Sequence, residues 1–356
     1  MSDAKSADDN VSDDSERDRA FFREFVSPGA ESRAAQLVRK HQLKAALLTN
    51  EPFRIDRYEV REELGRGATG VVFRAYDPYF AIDVALKLLD EEPTSTSPHR
   101  LHREALALTA VHGRNIVRIY NCGLFEGQPW IAMEYIAGVT LETWIEGSSS
   151  LSWKDIVARF VESARGLAEL HSSGFIHRDF KPRNVLISKE SERVCVADLG
   201  LAMQPTIPGL RESGHPSEQQ QIVGTRRYMS PEQISGKALT PASDQFSFCL
   251  SLYWALYGFM PVEGSETTAE HLTLKVKSGQ RPTLPRQSPV RVGRVPAWLE
   301  QTLLRGLSYS PADRFNSMDE MIQNLTRGRG LGCYVTPSLL YVLAGFLAGF
   351  LIGKWS

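Results

Sequence analysis

Residues His177 to Asn184 read HRDFKPRN, and this is the most chemically specific stretch in the chain. It sets Asp179 and Asn184 five residues apart with Lys181 between them. A carboxylate to accept a hydroxyl proton, an ammonium to steady a phosphoryl group and an amide oxygen for Mg²⁺ fit in one short loop. Fourteen residues beyond Asn184, Asp198 stands in VADLG. Its apolar lead-in puts the carboxylate at a strand end, where a metal could bridge phosphate oxygens. A turn-capping aspartate before glycine is the plainer reading of that residue alone.

Upstream, Gly65, Gly67 and Gly70 form GxGxxG within GRGATGVV. That spacing lets backbone amides approach a polyphosphate with no side chain in the way, although glycines in a strand turn are common. A second strand pattern, VVFRAYD, follows the glycines. A dinucleotide-binding fold needs a helix there, so that reading is set aside. Next, VALK places Lys87 in an otherwise apolar strand. Its ammonium is costly there unless paired with anions; a snorkelling lysine is the alternative.

Composition frames these motifs. The 356 residues are 42% hydrophobic and 23% charged, close to globular averages and enough for two lobes with a real core. Lys+Arg 41 against Asp+Glu 42 leaves no basic field for nucleic acid, and no nucleic-acid partner is expected. Cys122, Cys195, Cys249 and Cys333 show no zinc-ligand spacing and read as reduced, buried thiols. The N-terminus lacks the basic and apolar regions of a secretory signal, so the body of the chain is expected to stay in the cytoplasm.

Residues 1–30 are expected to form a disordered acidic tail, led by Asp3, Asp8, Asp9, Asp13, Asp14, Glu16 and Asp18. A helical lead-in over 31–57 follows. Leu37, Val38, Leu43, Leu47 and Leu48 recur at near-helical spacing from Glu31 to Leu48, which predicts an amphipathic helix packed on the body of the protein. Alternation from Tyr58 to Ala75 predicts two strands joined by a Gly-rich turn, with more β pattern at Asp83–Leu89 and Ile116–Ile136. After about Ser150 the pattern becomes helical, as in DIVARFVESARGLAELHSSG, ended by Gly174.

Taken in order, GRGATGVV, VALK, HRE, HRDFKPRN, DLG, GTRRYMSPE, SDQFSF and PADRF resemble a eukaryotic-type (Hanks-type) serine/threonine protein kinase of bacteria, over about Tyr58 to Arg327. The resemblance implies an α+β, bilobal protein-kinase fold over 58–327, with a β-rich N-lobe (58–136) and an α-helical C-lobe (139–327). It implies ATP and Mg²⁺ as cofactors and protein Ser/Thr hydroxyls as acceptors. By similarity, Asp179 is the catalytic base and Lys181 steadies the phosphate, while Asn184 and Asp198 hold magnesium. Lys87 holds the α- and β-phosphates and pairs with Glu104. Gly65, Gly67 and Gly70 cover the nucleotide. Glu134 and Ile136 offer backbone groups to adenine beside Met133, and Leu64, Val72, Ala85 and Leu186 form the apolar sandwich. Glu232 is expected to pair with Arg314, and Asp244 to anchor the loop near His177 and Arg178. Leu199, Phe180 and Ser230 depart from the commonest pattern at positions that tolerate the change.

The same resemblance places an activation segment from Asp198 to Glu232. Thr225 within it would contact Asp179 and Lys181, and Ser217 is the leading phosphorylation candidate, ahead of Ser213 and Thr206. Arg178 marks kinases whose segment is ordered by a phosphate. Beyond the domain, Tyr334 to Gly353 is a 20-residue run without charge, flanked by Arg327, Arg329 and Lys354. At ~30 Å as a helix it matches a bilayer and predicts a single-pass anchor in the cell inner membrane with the kinase inside; a buried core helix is the alternative. Gly345, Gly349 and Gly353 form GxxxG frames that would bring two such helices together as a homodimer, or merely lower helix bulk. With only Lys354, Trp355 and Ser356 after the run, no sensor domain is expected beyond it. A pseudokinase scaffold and a small-molecule kinase are the rival readings.

Overall fold

A computed structural model of the chain describes residues 33–48, 52–67, 70–90, 106–148, 150–199, 226–262, 267–278 and 292–327. The expected tail over 1–30, Glu104, Thr206, Ser213, Ser217, Thr225, Cys333 and the apolar run Tyr334–Gly353 with its glycines lie outside those residues. Among the described residues no helix is long and apolar enough to cross a membrane.

The lead-in helix is present as α1 (Arg33–Leu48). Ala34 and Val38, four residues apart and so on one face, are buried in the small-lobe core beside Phe53, Tyr58 and Phe73. Ala34 N–H, one of the orphan donors of the first helical turn, donates to Asp90 Oδ1 at 2.9 Å. The helix therefore packs on the body as expected, and two small residues outside the expected apolar set, Ala34 and Ala35, are also buried.

Small-lobe strands β1 (Arg54–Ile55), β2 (Tyr58–Gly67), β3 (Gly70–Asp77), β4 (Ile82–Leu89), β5 (Ile119–Phe125) and β6 (Gln128–Glu134) form one sheet in the order β1-β2-β3-β4-β6-β5. Every pairing is antiparallel. Strand alternation decides what reaches the cleft. Val71, Phe73 and Ala75 of β3 and Val84, Leu86 and Leu88 of β4 face the small-lobe core. Their neighbours Val72, Ala85 and Lys87 therefore face the other way, with Val72 and Lys87 paired across the strands.

The chain crosses at Tyr135–Ala137 and enters a second sheet of β7 (Gly138–Thr140), β8 (Val185–Ser188) and β9 (Val194–Val196), in that order. α2 (Leu141–Glu146) and α3 (Trp153–Ser172) lie between β7 and β8. Ser152 and Asp155 close a reciprocal capping box at the start of α3. Gly174, at φ +82°, ends its C-terminal turn as the sequence predicts. After the undescribed stretch come α4 (Pro231–Ile234), α5 (Pro241–Tyr257), α6 (Thr268–Lys277), α7 (Ala297–Gly306) and α8 (Met318–Thr326). α5 is buried along its whole length from Ser243 to Tyr257, so it is the axis on which the large lobe is built. Phe180, where leucine is commoner, is fully buried and packs its ring 5.5 Å from Phe248 of α5.

Candidate active site

The cleft between the two sheets contains one apolar cluster: Leu64, Ala85, Val117, Ile136, Leu186, Cys195 and Ala197, with Val72, Met133, Tyr135 and Val139 against it. All four expected sandwich residues belong to it, as does the hinge residue Ile136. Val117, Cys195 and Ala197 are additional members that the motif reading missed. Period-2 alternation along β9 into Asp198 was the available signal, since it puts Cys195 and Ala197 on one face, with Cys195 paired opposite Leu186. Burial pushes the Cys195 thiol up to about 11, even with Arg193 Nε 2.9 Å from its Sγ, so it stays a neutral thiol.

The hinge has a brace that the sequence did not disclose. Arg193 Nη2 donates to Glu134 Oε1 at 2.6 Å, tying the end of β6 to the β8–β9 turn. Glu134 N–H is used in a bond to Arg118 O at 2.8 Å.

Of the glycines, Gly70 is demanded by packing as much as by any ligand. Its φ is +141°, and a Cβ there would lie 1.9 Å from Leu88 O. A Cβ on Gly67 would meet nothing within 4 Å among the described residues.

Lys87 is 5% exposed and pairs with the Asp198 carboxylate. Burial alone would raise the Asp198 carboxyl, but the Lys87 ammonium outweighs it and holds the group below the usual range. Asp198 sits at φ +61°, a conformation uncommon for a non-glycine residue. Leu199 is buried in the large core and lines a small cavity with Lys87, Val117, Ile119, Ile131 and Met133. The expected Lys87–Glu104 pair lies outside the described residues.

The catalytic-loop candidates converge. Lys181 Nζ is 2.7 Å from Asp179 Oδ2. Asn184 Nδ2 donates to Asp179 O at 2.8 Å and to its Oδ2 at 3.2 Å. Asp179 Oδ1 is buried and has no hydrogen-bond partner among the described residues. His177 joins this loop to the Asp198 strand. Its Nδ1 accepts from Asp179 N–H at 3.3 Å, so the ring proton lies on Nε2, which donates to Ala197 O at 3.0 Å. Ala197 N–H in turn donates to Asn184 O at 2.8 Å.

Both expected anchors are in place. Asp244 accepts from His177 N–H and Arg178 N–H, each at 2.8 Å, and contacts His171 Nε2 at 2.7 Å. Burial pushes its carboxyl up, and the His171 contact with these amides prevails and lowers it. Arg314 forms a two-pronged pair with Glu232 at 2.7 and 3.0 Å, with both residues buried. Ser230, in place of the commoner alanine, caps α4 through Gln233.

The donor set suits a hard cation carried by a phosphate ligand. Asn184 Nδ2 is committed to Asp179, and neither the side-chain oxygen Oδ1 of Asn184 nor Asp198 Oδ2 accepts a bond among the described residues. Among the described residues no three His, Cys, Asp or Glu side chains gather to hold a metal alone. One carboxylate and one amide completed by phosphate oxygens and water is the ligation Mg²⁺ favours.

Comparison with known proteins agrees with this geometry. The chain is 30% identical over 279 residues to a probable serine/threonine-protein kinase, PknB, of Lactococcus lactis, covering 78% of this chain and 42% of that protein. It is 31% identical over 286 residues to the serine/threonine-protein kinase PknB of Mycolicibacterium smegmatis, covering 76% and 43%. With PrkC of Bacillus subtilis it shares 28% over 267 residues, 74% and 39%. The chain thus matches about four tenths of the length of these relatives. The family model described as the protein kinase domain matches residues 58–324, and the chain belongs to that family, beside bacterial serine/threonine protein kinases.

Proposed function

We propose that the chain transfers the γ-phosphoryl group of Mg²⁺-bound ATP to serine or threonine hydroxyls of proteins, itself included. The observation that carries this reading is the convergence of Asp179, Lys181 and Asn184 with Lys87 and Asp198 beneath one apolar slot. Adenine would enter the slot between Ala85 and Leu186, against the backbone of Glu134 and Ile136. Lys87 would exchange its contact with Asp198 for phosphate oxygens, and Asp198 and Asn184 would take the magnesium. When bound, Mg²⁺ would supply positive charge that neutralises the phosphate oxygens. The acceptor hydroxyl would hydrogen-bond to Asp179 Oδ1, which has no partner among the described residues, and give up its proton there as its oxygen bonds to phosphorus and ADP departs. Lys181 neutralises charge on the moving phosphoryl group.

We further propose that residues 334–353 anchor the chain in a bacterial inner membrane with the kinase domain in the cytoplasm. Apolar length and flanking arginines support this. Pairing of the Gly345/Gly349/Gly353 faces would then promote phosphorylation between neighbouring copies, with Ser217 the first candidate site. Full-length protein in liposomes, given labelled ATP, Mg²⁺ and a generic basic protein, should yield phosphoserine or phosphothreonine, and Lys87→Met should yield neither. Transfer only to metabolites, or nucleotide binding without transfer, would favour the rival readings. A C-terminal tag that remains protease-sensitive from the cytoplasmic side of spheroplast vesicles would overturn the anchor.

A further inference from the structure

The peptide that precedes Asp179 is gripped from two directions, and only one grip was expected. Asp244 takes the Arg178 N–H at 2.8 Å. The carbonyl of the same residue accepts from Gln233 Nε2 at 2.7 Å, a bond spanning 55 positions in sequence. Arg178 needs holding, because its backbone lies at φ +69°, where a non-glycine residue is strained. Its carbonyl belongs to the amide plane that leads into Asp179, so that plane sets the direction in which the Asp179 carboxylate departs from the chain.

Gln233 is itself oriented. Its Oε1 accepts from Ser230 N–H at 2.9 Å and from Ser230 Oγ at 3.1 Å, while its own N–H donates to Ser230 Oγ at 3.4 Å. An oxygen that accepts a backbone N–H cannot exchange places with the amide nitrogen, so Nε2 must face Arg178 O. The neighbouring Glu232 is fixed by Arg314, which leaves α4 little freedom to carry Gln233 away.

We infer that Gln233 is a positioning residue for phosphate transfer, holding the Arg178 carbonyl so that Asp179 is aimed at the incoming hydroxyl; this rests on the kinase activity proposed above. Because the segment that ends at Glu232 runs into α4, this bond also ties the far end of that segment to the catalytic loop.

The capping role and the positioning role of Gln233 can be separated by chemistry. Gln233→Glu keeps an acceptor for Ser230, since Gln and Glu serve equally in a capping box, but removes the donor to Arg178 O. Ser230→Ala removes the hydroxyl half of the cap and leaves that donor. In the full-length protein, Gln233→Glu should lower kcat by about tenfold or more with KM for ATP within about twofold and melting temperature near wild type. Ser230→Ala should do the reverse, keeping kcat and lowering the melting temperature. Amide hydrogen exchange over 176–180 should speed up in Gln233→Glu and stay unchanged in Ser230→Ala. That readout needs no phosphate transfer, so it decides the proposal even if the activity reading fails. Wild-type kcat together with wild-type exchange in Gln233→Glu would overturn it, and so would an equal loss of both in the two variants.

Discussion

On the large-lobe side of the cleft, His177, Arg178, Asp179 and Asn184 are joined to Asp244, Gln233 and Ala197 by cross-linked hydrogen bonds that are buried or partly buried. On the small-lobe side, Lys87 meets one described carboxylate, Asp198, and no described residue lies within 4 Å of where a Gly67 Cβ would be. Asp179, the proposed acceptor of the proton, is thus fixed by the fold, whereas the groups that would hold the nucleotide keep room to adjust. Preorganised charge belongs where bonds change, and slack belongs where a ligand must enter and leave.

The largest effect should come from Asp244→Ala, which removes the acceptor of two backbone amides and the His171 contact together. Each donor left buried costs about 1–3 kcal/mol. Phosphate transfer should fall by roughly 100-fold, read as kcat, since the loop that carries Asp179 is released. Nearly as large, Arg314→Ala leaves Glu232 buried without its partner and should lower unfolding free energy by about 3–5 kcal/mol in denaturant titration. If either variant were as stable and active as wild type, the large-lobe side would not be the braced one.

The two glycines sharpen the small-lobe side. Gly70→Ala forces a Cβ against the Leu88 carbonyl at positive φ and should measurably lower the melting temperature. Gly67→Ala meets no described residue and should leave stability unchanged, so any loss it causes should appear in KM for ATP.

Acid should act on the braced side. Asp198, Glu232 and Asp244 all titrate below their usual range in the folded protein. Their contribution is fully present above about pH 4–4.5, where the unfolded groups ionise, and is lost as pH falls through the lower native values. Stability measured against pH should therefore decline below about pH 4, and less steeply in Asp244→Asn. The smallest effect is at the hinge. Arg193→Ala should raise KM for ATP about two- to fivefold with kcat unchanged, as for a half-exposed ion pair of at most about 1 kcal/mol.

Much of this was legible in the sequence because its motifs are contiguous. The loop from His177 to Asn184, the alternation that turns Ala85 and Lys87 away from Val84 and Leu86, and the helix ended by Gly174 all depend on local spacing. So did the pairing of Glu232 with Arg314 and of Asp244 with the loop, which came through resemblance. The brace from Arg193 to Glu134 and the bond from Gln233 to Arg178 were not legible. Each joins residues distant in sequence through side chains whose types are ordinary at the surface, and only the assembled sheet order and α4 bring them together. Cys195 and Ala197 were readable in principle by β9 alternation, but a strand of three residues is too short to fix its face unaided.

The most direct test of the whole reading is phosphate transfer by the full-length protein beside Asp179→Asn, with Mg²⁺·ATP affinity measured on both. The account predicts label on serine or threonine in wild type, its loss in Asp179→Asn and equal nucleotide affinity, because Asn184 and Lys181 remain. Undiminished transfer in Asp179→Asn, or tight Mg²⁺·ATP binding by a wild-type protein that transfers nothing, would contradict it.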